Sequence, residues 1–335
     1  MHDDVRIPRC PFPGPEAWLG RDLRQETSWI YILDAAEREE MERALDALRN
    51  RPLSAITAFD VPLPRVRVAL ASWRRELKSG RGFVLVRGVP VKGHSPEDIA
   101  NLYWLLGLHM GAPVPQNTRG ELLCDIRDKG ADPRDPNVRL YATRAEQDFH
   151  TDAADIIALV CLQTAKSGGV SRIVSSVTVF NEFQKRRPDL VELLFEDWYF
   201  FLQGHELPGM PQYFKMPICR TDGLSLATFF LGWYIRRAQA LDEVPKLSSR
   251  HEEALRLLEE LANDPELYLD MQFQPGDIQW LKNSVTLHKR TDYEDWPEPE
   301  RKRHLLRLWL TARDFEDGDE RLRSGINART TEKAP

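Results

Sequence analysis

The feature that most constrains this chain is the tripeptide His150-Thr151-Asp152, called here the HTD motif, which stands shortly before an apolar run from Ile156 to Leu162. The run has the length and the β-branched content of a buried strand. Side chains alternate between the two faces of an extended chain, so His150 and Asp152 are predicted to point in the same direction. An imidazole and a carboxylate on one face can occupy two adjacent positions around a metal ion.

Two other pairs in the sequence have the same spacing, and neither has a suitable context. His2 and Asp4 lie at the start of the chain, where a segment without anchoring contacts is usually disordered. His251 and Glu253 lie in a run whose apolar residues have helical spacing, and residues two apart on a helix do not face each other. Only the HTD motif precedes a strand, so it is the pair selected.

A third metal ligand would have to come from a distant part of the sequence. His288 is the candidate, because it follows the turn sequence Pro275-Gly276-Asp277 and the strand that this turn leads into. Two histidines and one carboxylate form the facial ligand set of non-haem Fe(II) oxygenases, which leaves three metal positions open. Taken alone, His288 would more often be a partly buried surface histidine. Beside the HTD motif and the arginines that follow it, the metal-ligand interpretation is favoured.

Three of the arginines after His288 share one face if their segment is a strand: Arg301, Arg303 and Arg307. Guanidinium groups on one face repel each other unless anions meet them, and arginine binds carboxylates through two parallel hydrogen bonds. The alternative is a solvated basic edge strand, since charges also protect sheet edges. We expect that alternative for Arg301, and anion binding for Arg303 and Arg307, which are flanked by leucines and tryptophan.

Composition excludes several classes of function. The 335 residues carry a formal net charge of -6, which gives no basic footprint for nucleic acid. No apolar run approaches the roughly 18 residues of a membrane span, and the N-terminus lacks the apolar region of a secretory signal. The cysteines are far apart and predict reduced thiols in a cytoplasmic protein: Cys10, Cys124, Cys161 and Cys219.

The pattern predicts one domain over residues 1–335, with a helical lead-in (1–80), a core with insertions (81–312) and a charged tail (313–335). The segment 111–141 is rich in Gly, Pro and charge and is predicted to be a long loop. Helices are predicted at 34–49, 64–78, 95–110 and 247–263, and at 177–195 with an interruption at Pro188. Strands are predicted at 29–33, 82–89, 156–162, 268–273, 278–281 and 305–311.

Taken together, these motifs resemble the TauD/TfdA-type (taurine dioxygenase-like) branch of the Fe(II)/2-oxoglutarate-dependent oxygenases. The resemblance rests on the HTD motif, the Gly168-Gly169-x-Ser171 turn, Pro275-Gly276-Asp277, His288 and Arg303-x-x-x-Arg307, and it covers about residues 140–312. The fold it implies is a double-stranded β-helix (jelly roll, cupin-like), mainly β with flanking helices, in the α+β class. The residue patterns agree in part, since they give many short strands but also four or five clear helices.

The resemblance also implies roles for residues. His150, Asp152 and His288 would be the iron ligands, and Arg303 with Ser171 would bind the distal carboxylate of 2-oxoglutarate. Arg307 would meet an acid group of the substrate; the alternative for Arg307 is an internal pair with an acidic side chain. The chain departs from the family in having Lys289 after the distal histidine, where glycine is common. It also has a longer loop after His288, so the choice between Arg301 and Arg303 is left open by spacing. Tyr141 and Gln147, just upstream of the HTD motif, are candidates to face the substrate.

The activity implied is decarboxylation of 2-oxoglutarate by O2 to succinate and CO2, coupled to C–H oxidation of a small acid-bearing molecule. Hydroxylation, desaturation and ring closure are all open, as are amino acids, sulfonates, aryloxy acids and natural-product intermediates as substrates. The implied partners are small molecules, with no nucleic acid or membrane; a homo-oligomer is left open. The alternative from a different class is a non-catalytic jelly-roll protein that binds a metal or a small ligand.

Overall fold

Two β-sheets face each other at the centre of the molecule, and helices cover their outer faces. The computed structural model describes residues 10–117, 119–134, 138–202 and 211–316. The His2 and Asp4 pair and the charged tail from residue 317 onward lie outside these residues. No helix in the described ranges is both long and apolar enough to cross a membrane.

Four of the seven helices in the described ranges, the second, fourth, fifth and seventh along the chain, begin at a residue whose side chain accepts a hydrogen bond from an N–H group of the first turn. The Asp34 carboxylate accepts a hydrogen bond from the Glu37 N–H at 2.7 Å and begins the second helix, and Ser95 does the same for the fourth. These helices lie close to their predicted positions. The helices are α1 (Gly20–Leu23), α2 (Ala35–Leu48), α3 (Pro64–Ser79), α4 (Pro96–Met110), α5 (Ser176–Arg186), α6 (Gly232–Ala238) and α7 (Ser249–Ala262).

The strands are short and most of them are antiparallel. They are β1 (Ile30–Ile32), β2 (Phe83–Arg87), β3 (Ala112–Pro113), β4 (Leu123–Ile126), β5 (Gln147–His150), β6 (Ile156–Gln163), β7 (Ser167–Gly168), β8 (Ser171–Ser175), β9 (Asp197–Phe201), β10 (Tyr213–Pro217), β11 (Cys219–Thr221), β12 (Leu226–Thr228), β13 (Tyr268–Met271), β14 (Ile278–Lys282), β15 (Thr286–Arg290), β16 (Tyr293–Glu294) and β17 (His304–Thr311). The predicted loop at 111–141 is wrong in part, because β3 and β4 lie within it and both pair with β17.

The larger sheet has the order β1-β2-β14-β6-β17-β3, with β4 also pairing with β17. Alternate residues of β17 separate its two faces. Leu306, Leu308 and Leu310 pack in the apolar cluster beneath α2, α3 and α4, whereas Trp309 packs toward the second sheet. Because helices bury the outer face, the polar residues on the inner face stand out as candidates for a functional role.

The expectation that Arg301 lies on a solvated edge strand, on one face with Arg303 and Arg307, is corrected by this topology. β17 has β6 on one side and β3 and β4 on the other, so it is not a solvated edge strand. It begins at His304, so Arg301 does not share its face. Arg301 instead ends a 3₁₀ turn, with a side chain 45% exposed and stacked over the Trp296 ring at 3.5 Å.

The smaller sheet has the order β13-β8-β15-β5 and supplies the opposite wall. On β8 and β15, Val174 and Leu287 face outward and pack in the apolar cluster that includes residues of α5 and α7. Ile173 faces inward, toward the first sheet. The two facing sheets with flanking helices confirm the predicted double-stranded β-helix of the α+β class.

Candidate metal centre

His150, Asp152 and His288 meet between the two sheets. Their potential ligand atoms all lie within 4.8 Å of one another, and this is the one such group among the described residues. His150 Nε2 is 3.8 Å from Asp152 Oδ1, and His288 Nε2 is 3.6 Å from Asp152 Oδ2. All three side chains are buried. The two imidazoles and the carboxylate therefore converge on one point from three directions.

The strands bring these residues together through their register. His288 on β15 is paired with His150 on β5, and their ring centroids are 4.2 Å apart. Thr151 points the opposite way, and its hydroxyl accepts a hydrogen bond from the Phe230 N–H at 2.9 Å. Asp152, one residue further, returns to the side of His150. This is the alternation of an extended chain, although β5 itself ends at His150.

Neighbouring polar groups orient the three side chains. His150 Nδ1 lies 2.7 Å from the Asp148 carbonyl oxygen, which turns Nε2 toward the cluster. The Asp152 N–H donates to Asn283 Oδ1 at 2.9 Å, and the Asn283 amide donates back to the Asp152 carbonyl. Trp309 Nε1 donates to Asp152 Oδ2 at 2.9 Å. One carboxylate oxygen is thus held by the protein while the other faces His150.

The electrostatics favour the protonation states that a divalent cation requires. Burial, and then the charge of His288, lower the pKa of His150 to about 3. Burial acts to raise the pKa of Asp152, but the charges of Arg307 and His288 and a hydrogen bond from His288 hold it below its usual range. At neutral pH His150 is a neutral imidazole and Asp152 is an anion, the forms in which these groups bind metals.

The donor set fits Fe(II). Two imidazole nitrogens and one carboxylate oxygen, with no thiolate nearby, are typical of non-haem Fe(II) sites that keep positions open for other ligands. The Gln147 amide nitrogen lies 3.0 Å from His150 Nε2, so this predicted substrate-facing residue reaches the edge of the cluster. Trp233 packs edge-on against His150 at 5.1 Å from the other side.

A cavity beside the triad has several of the sequence-predicted polar residues in its lining, together with Lys289 and Arg290. It is lined by Tyr141, Gln147, His150, Ser171, His288, Lys289, Arg290, Arg303 and Arg307, with apolar residues of β4 and β6. Arg303 is 4% exposed, and its Nη1 has no hydrogen-bond partner within the described part of the chain. The Ser171 hydroxyl lies 2.9 Å from the Gln279 amide nitrogen. Of the two arginines that spacing left open, Arg303 is the one brought to the triad.

The turn before β8 allows the backbone to lie close to the Arg303 side chain. Gly168 and Gly169 have φ values of +71° and +66°, a conformation that favours glycine. A Cβ at Gly169 would lie 3.0 Å from Arg303 Nε. The two glycines therefore let the chain pass close to the Arg303 guanidinium and enter β8 at Ser171.

Arg307 has partners inside the protein. Its Nη1 donates to Asp152 Oδ2 at 3.2 Å, and its Nε donates to Gln116 Oε1 at 2.8 Å. The Tyr141 ring centroid lies 5.3 Å from its guanidinium carbon. The pairing with Asp152 places Arg307 next to the triad, where it can serve both the carboxylate and an anion on a ligand.

Sequence reasoning missed several residues of this site. Trp309 and Arg290 could have been found, because each lies two residues beyond a selected residue on the same strand face. Asn283 and Gln116 gave no local signal, since each acts on a residue far away in sequence. A larger cleft of about 700 Å³ is lined by His94, Arg127 and also Arg303, and its lining contains none of the triad.

Comparison with known proteins gives related sequences. The family described as "Taurine catabolism dioxygenase TauD, TfdA family" matches residues 49–309. FR-33289 synthase from Streptomyces rubellomurinus (strain ATCC 31215) is 31% identical over 319 residues, covering 92% of this chain and 92% of that protein. Taurine hydroxylase-like protein SAT17 from Stachybotrys chartarum (strain CBS 109288 / IBT 7711) is 27% identical, covering 87% of this chain and 77% of that protein.

Solved structures share the fold. An asparagine oxygenase, solved with Fe(II), 3-hydroxyasparagine and succinate, superposes with a TM-score of 0.67 at 17% identity and covers 84% of this chain and 93% of that one. The non-haem iron oxygenase OrfP, solved with Fe, succinate and (3S)-hydroxy-L-Arg, gives 0.63 at 14% identity, with coverage of 84% and 94%. With the family match over most of its length, this chain belongs to the TauD/TfdA family of Fe(II)- and 2-oxoglutarate-dependent oxygenases.

Proposed function

We propose that His150, Asp152 and His288 hold Fe(II), that Arg303 and Ser171 hold 2-oxoglutarate, and that the enzyme oxidises a C–H bond of a small acid-bearing molecule. The observation that carries the proposal is the buried convergence of the three ligand atoms within 4.8 Å, in the same cavity as Arg303. Bound iron would supply the activation of O2 with electrons from 2-oxoglutarate, which leaves as succinate and CO2.

The protein's part in this reaction is to position the reactants and to exclude water. The triad lies between two packed sheets, with Trp233 against one histidine and apolar side chains of β6 beneath. The Asp148 carbonyl and the Trp309 indole fix the rotamers of His150 and Asp152 before any ligand arrives. Preorganised ligands of this kind cost little reorganisation when a metal binds.

Arg303 supports 2-oxoglutarate as the co-substrate. Its guanidinium is buried, and burial lowers its pKa from the usual value. A buried arginine with an unsatisfied donor is costly unless an anion meets it, and a carboxylate does so with two parallel hydrogen bonds. The Ser171 hydroxyl on β8 lines the same cavity and can donate to the same carboxylate. A dicarboxylate can then reach the triad with its other end.

Arg307 supports an acid group on the substrate. It shares the cavity with the triad and lies beside Tyr141 and Gln147, the two residues proposed to face the substrate. Amino acids are the first candidates for a screen, because two solved proteins of this fold are complexes with hydroxylated amino acids. Phosphate-bearing molecules come next, since a relative 26% identical is named a uridine-5'-phosphate dioxygenase.

The cellular location and assembly are also proposals. A cytoplasmic location is supported by the four cysteines, all of which are free thiols in the structure, three of them buried. A homo-oligomer is compatible with the fold but no particular surface is assigned to it.

The proposal is tested by incubating the purified protein with Fe(II), ascorbate and 2-oxoglutarate under air and measuring succinate. Asp152→Ala should abolish succinate release. Asp46→Ala is the matched control, because that side chain is 72% exposed and pairs with Arg49 near the end of α2. Turnover in the Asp152 variant would rule the triad out.

A screen of amino and organic acids for stimulation of succinate release would then identify the substrate class. Stimulation by an acid and hydroxylation of that acid, followed by mass spectrometry, would establish the oxygenase activity. Tight metal binding without succinate release under any of these conditions would favour the non-catalytic alternative.

A further inference from the structure

Arg290 lies in the cavity beside the triad, and neither the motifs nor the proposed function gives it a role. It stands two residues beyond His288 on β15, so the two side chains share the inner face of the strand. In the sheet it is paired directly with Ser171 on β8. Directly opposed residues of antiparallel strands have Cβ atoms about 4.5–5.5 Å apart, so Arg290 is the cross-strand neighbour of Ser171.

The N–H groups of the Arg290 guanidinium fall into two sets, one bonded to the backbone and one without a partner in the described residues. Its Nη2 donates to the carbonyl oxygens of Leu140, at 3.4 Å, and of Ala145. Its Nε and Nη1 are buried and have no hydrogen-bond partner among the residues described. The side chain is 7% exposed, so water at the surface cannot satisfy these two groups. One arm of the guanidinium therefore holds the turn at 140–145, and the other groups remain to be satisfied from the cavity.

A second guanidinium faces the same space. Arg303 lines the cavity with Arg290, and both guanidinium carbons lie over the Tyr293 ring, at 5.2 and 5.0 Å from its centroid. No carboxylate in the described ranges forms an ion pair with either arginine. Two buried cations that share one ring repel each other, and an anion between them removes the repulsion and fills the unsatisfied donors.

We propose that Arg290 is a second arginine for the distal carboxylate of 2-oxoglutarate, which it binds together with Arg303 and Ser171. This inference rests on the proposed function, since it assigns a further residue to the same co-substrate. A carboxylate has about four lone-pair sites, enough for both guanidinium groups and the hydroxyl. Arg290 is a binding and positioning residue in this arrangement.

Because Arg290 also donates hydrogen bonds to the turn at 140–145, its proposed contact with 2-oxoglutarate bears on substrate binding. The turn held by Arg290 contains Tyr141 and leads into Gln147, the two residues proposed to face the substrate. A carboxylate that holds the Arg290 guanidinium in place also fixes the donor of the hydrogen bonds to the Leu140 and Ala145 carbonyl oxygens. Binding of 2-oxoglutarate should therefore stabilise the turn at 140–145 before the substrate arrives.

The test compares Arg290→Gln and Arg290→Lys with Arg172→Gln. Arg172 lies on β8 beside Ser171 but pairs with Asp270 at 2.6 Å, away from the cavity lining. Dissociation constants are measured by calorimetry on the oxygen-free Fe(II) protein, for 2-oxoglutarate directly and for 2-oxobutyrate by competition. The second compound has the same 2-oxo acid group and no distal carboxylate.

We expect Arg290→Gln to weaken 2-oxoglutarate binding by roughly 10- to 100-fold, the usual effect of losing a hydrogen-bonded charge. Binding of 2-oxobutyrate should change by less than about threefold, and Arg172→Gln should change neither. Arg290→Lys keeps the charge without the planar fork, so it should give an intermediate loss. It also provides a variant that retains the cation if the glutamine variant folds poorly.

Hydrogen exchange provides the second readout. In the wild type and in Arg172→Gln, 2-oxoglutarate should slow amide exchange in the peptide 138–146, and in Arg290→Gln it should not. Equal weakening of both 2-oxo acids, or unchanged binding of 2-oxoglutarate in both Arg290 variants, would overturn the inference while leaving the proposed function in place. A wild-type protein that binds no 2-oxoglutarate would refute the proposed function itself, and this inference with it.

Discussion

The Trp309 indole nitrogen lies 2.9 Å from Asp152 Oδ2 and donates a hydrogen bond to this oxygen. Trp309 is on the inner face of β17, two residues beyond Arg307, whose guanidinium contacts the same oxygen. The two donors fix the plane of the carboxylate, so that Oδ1 faces His150. The orientation of this proposed metal ligand is thus determined by residues of the sheet.

We expect Trp309→Phe to weaken Fe(II) binding by roughly 10- to 100-fold, the usual cost of removing a group that orients a metal ligand. The aromatic ring is retained, so the apolar packing between the sheets should largely survive. Metal affinity is measured by equilibrium titration of the oxygen-free apoprotein with Fe(II). Stability is followed in parallel by thermal unfolding of the apoprotein.

Trp280→Phe is the matched control for this substitution. Trp280 is a buried tryptophan on β14, and its indole nitrogen has no hydrogen-bond partner within the described ranges. It should show a similar loss of stability and unchanged metal affinity. Equal effects of the two substitutions on affinity would mean that the Trp309 hydrogen bond does not orient Asp152.

Arg303→Ala should raise the concentration of 2-oxoglutarate needed for half-maximal turnover by roughly 10- to 150-fold, because a hydrogen bond to a charged group contributes about 1.5–3 kcal/mol. Arg303→Lys should recover part of the loss. Arg301→Ala, the control two residues earlier, should have little effect, since that side chain is exposed and stacked on Trp296. A defect in the Arg301 variant alone would show that the assignment is wrong by two residues.

Local patterns predicted the parts of this site that depend on local geometry. The direction of His150 relative to Asp152 follows from strand alternation, and alternation also places Arg307 on one face with Trp309. Asn283 could not be found in this way, because it contacts Asp152 across 131 residues of sequence. Its role exists only once β14 has paired with β6, and pairing of distant strands is not encoded in any short window.

The start of β17 shows why the arginine segment was only partly predicted. A period of two placed Arg301 on the face of Arg303, but the segment before His304 forms a 3₁₀ turn with Pro299 at its first position. Proline fixes φ and favours such a turn start over a strand. The alternation of a strand therefore holds from His304 onward and does not extend into the 3₁₀ turn before it.

His109 offers a test of the electrostatics away from the site. Burial, and then the charge of Arg67, lower its pKa from the usual value. The unfolded chain therefore binds a proton near pH 6.5 that the folded protein binds only at lower pH, so stability should fall as the pH drops below about 6.5. In His109→Gln that part of the fall should disappear. Unfolding in urea at pH 7.5 and 5.5 measures it, and an identical difference for both proteins would contradict the assignment.

Substitution of Arg307 tests whether the substrate must carry an acid group. Its Nη1 is bonded to Asp152 and its Nε to Gln116, so the guanidinium has an internal role whatever the substrate is. Once a substrate is known, its acid form and the matched amide are compared in the wild type, in Arg307→Gln and in the control Arg301→Gln.

If Arg307 also binds the substrate's acid group, the wild type should prefer the acid by roughly tenfold or more, as expected for a charge-assisted pair. Arg307→Gln should then lose that preference, and Arg301→Gln should keep it. If Arg307 serves Asp152 alone, Arg307→Gln should reduce turnover of both forms by the same factor. Equal turnover of acid and amide by the wild type would contradict the proposed substrate class, because a buried arginine that meets a substrate anion must distinguish it from a neutral amide of the same shape.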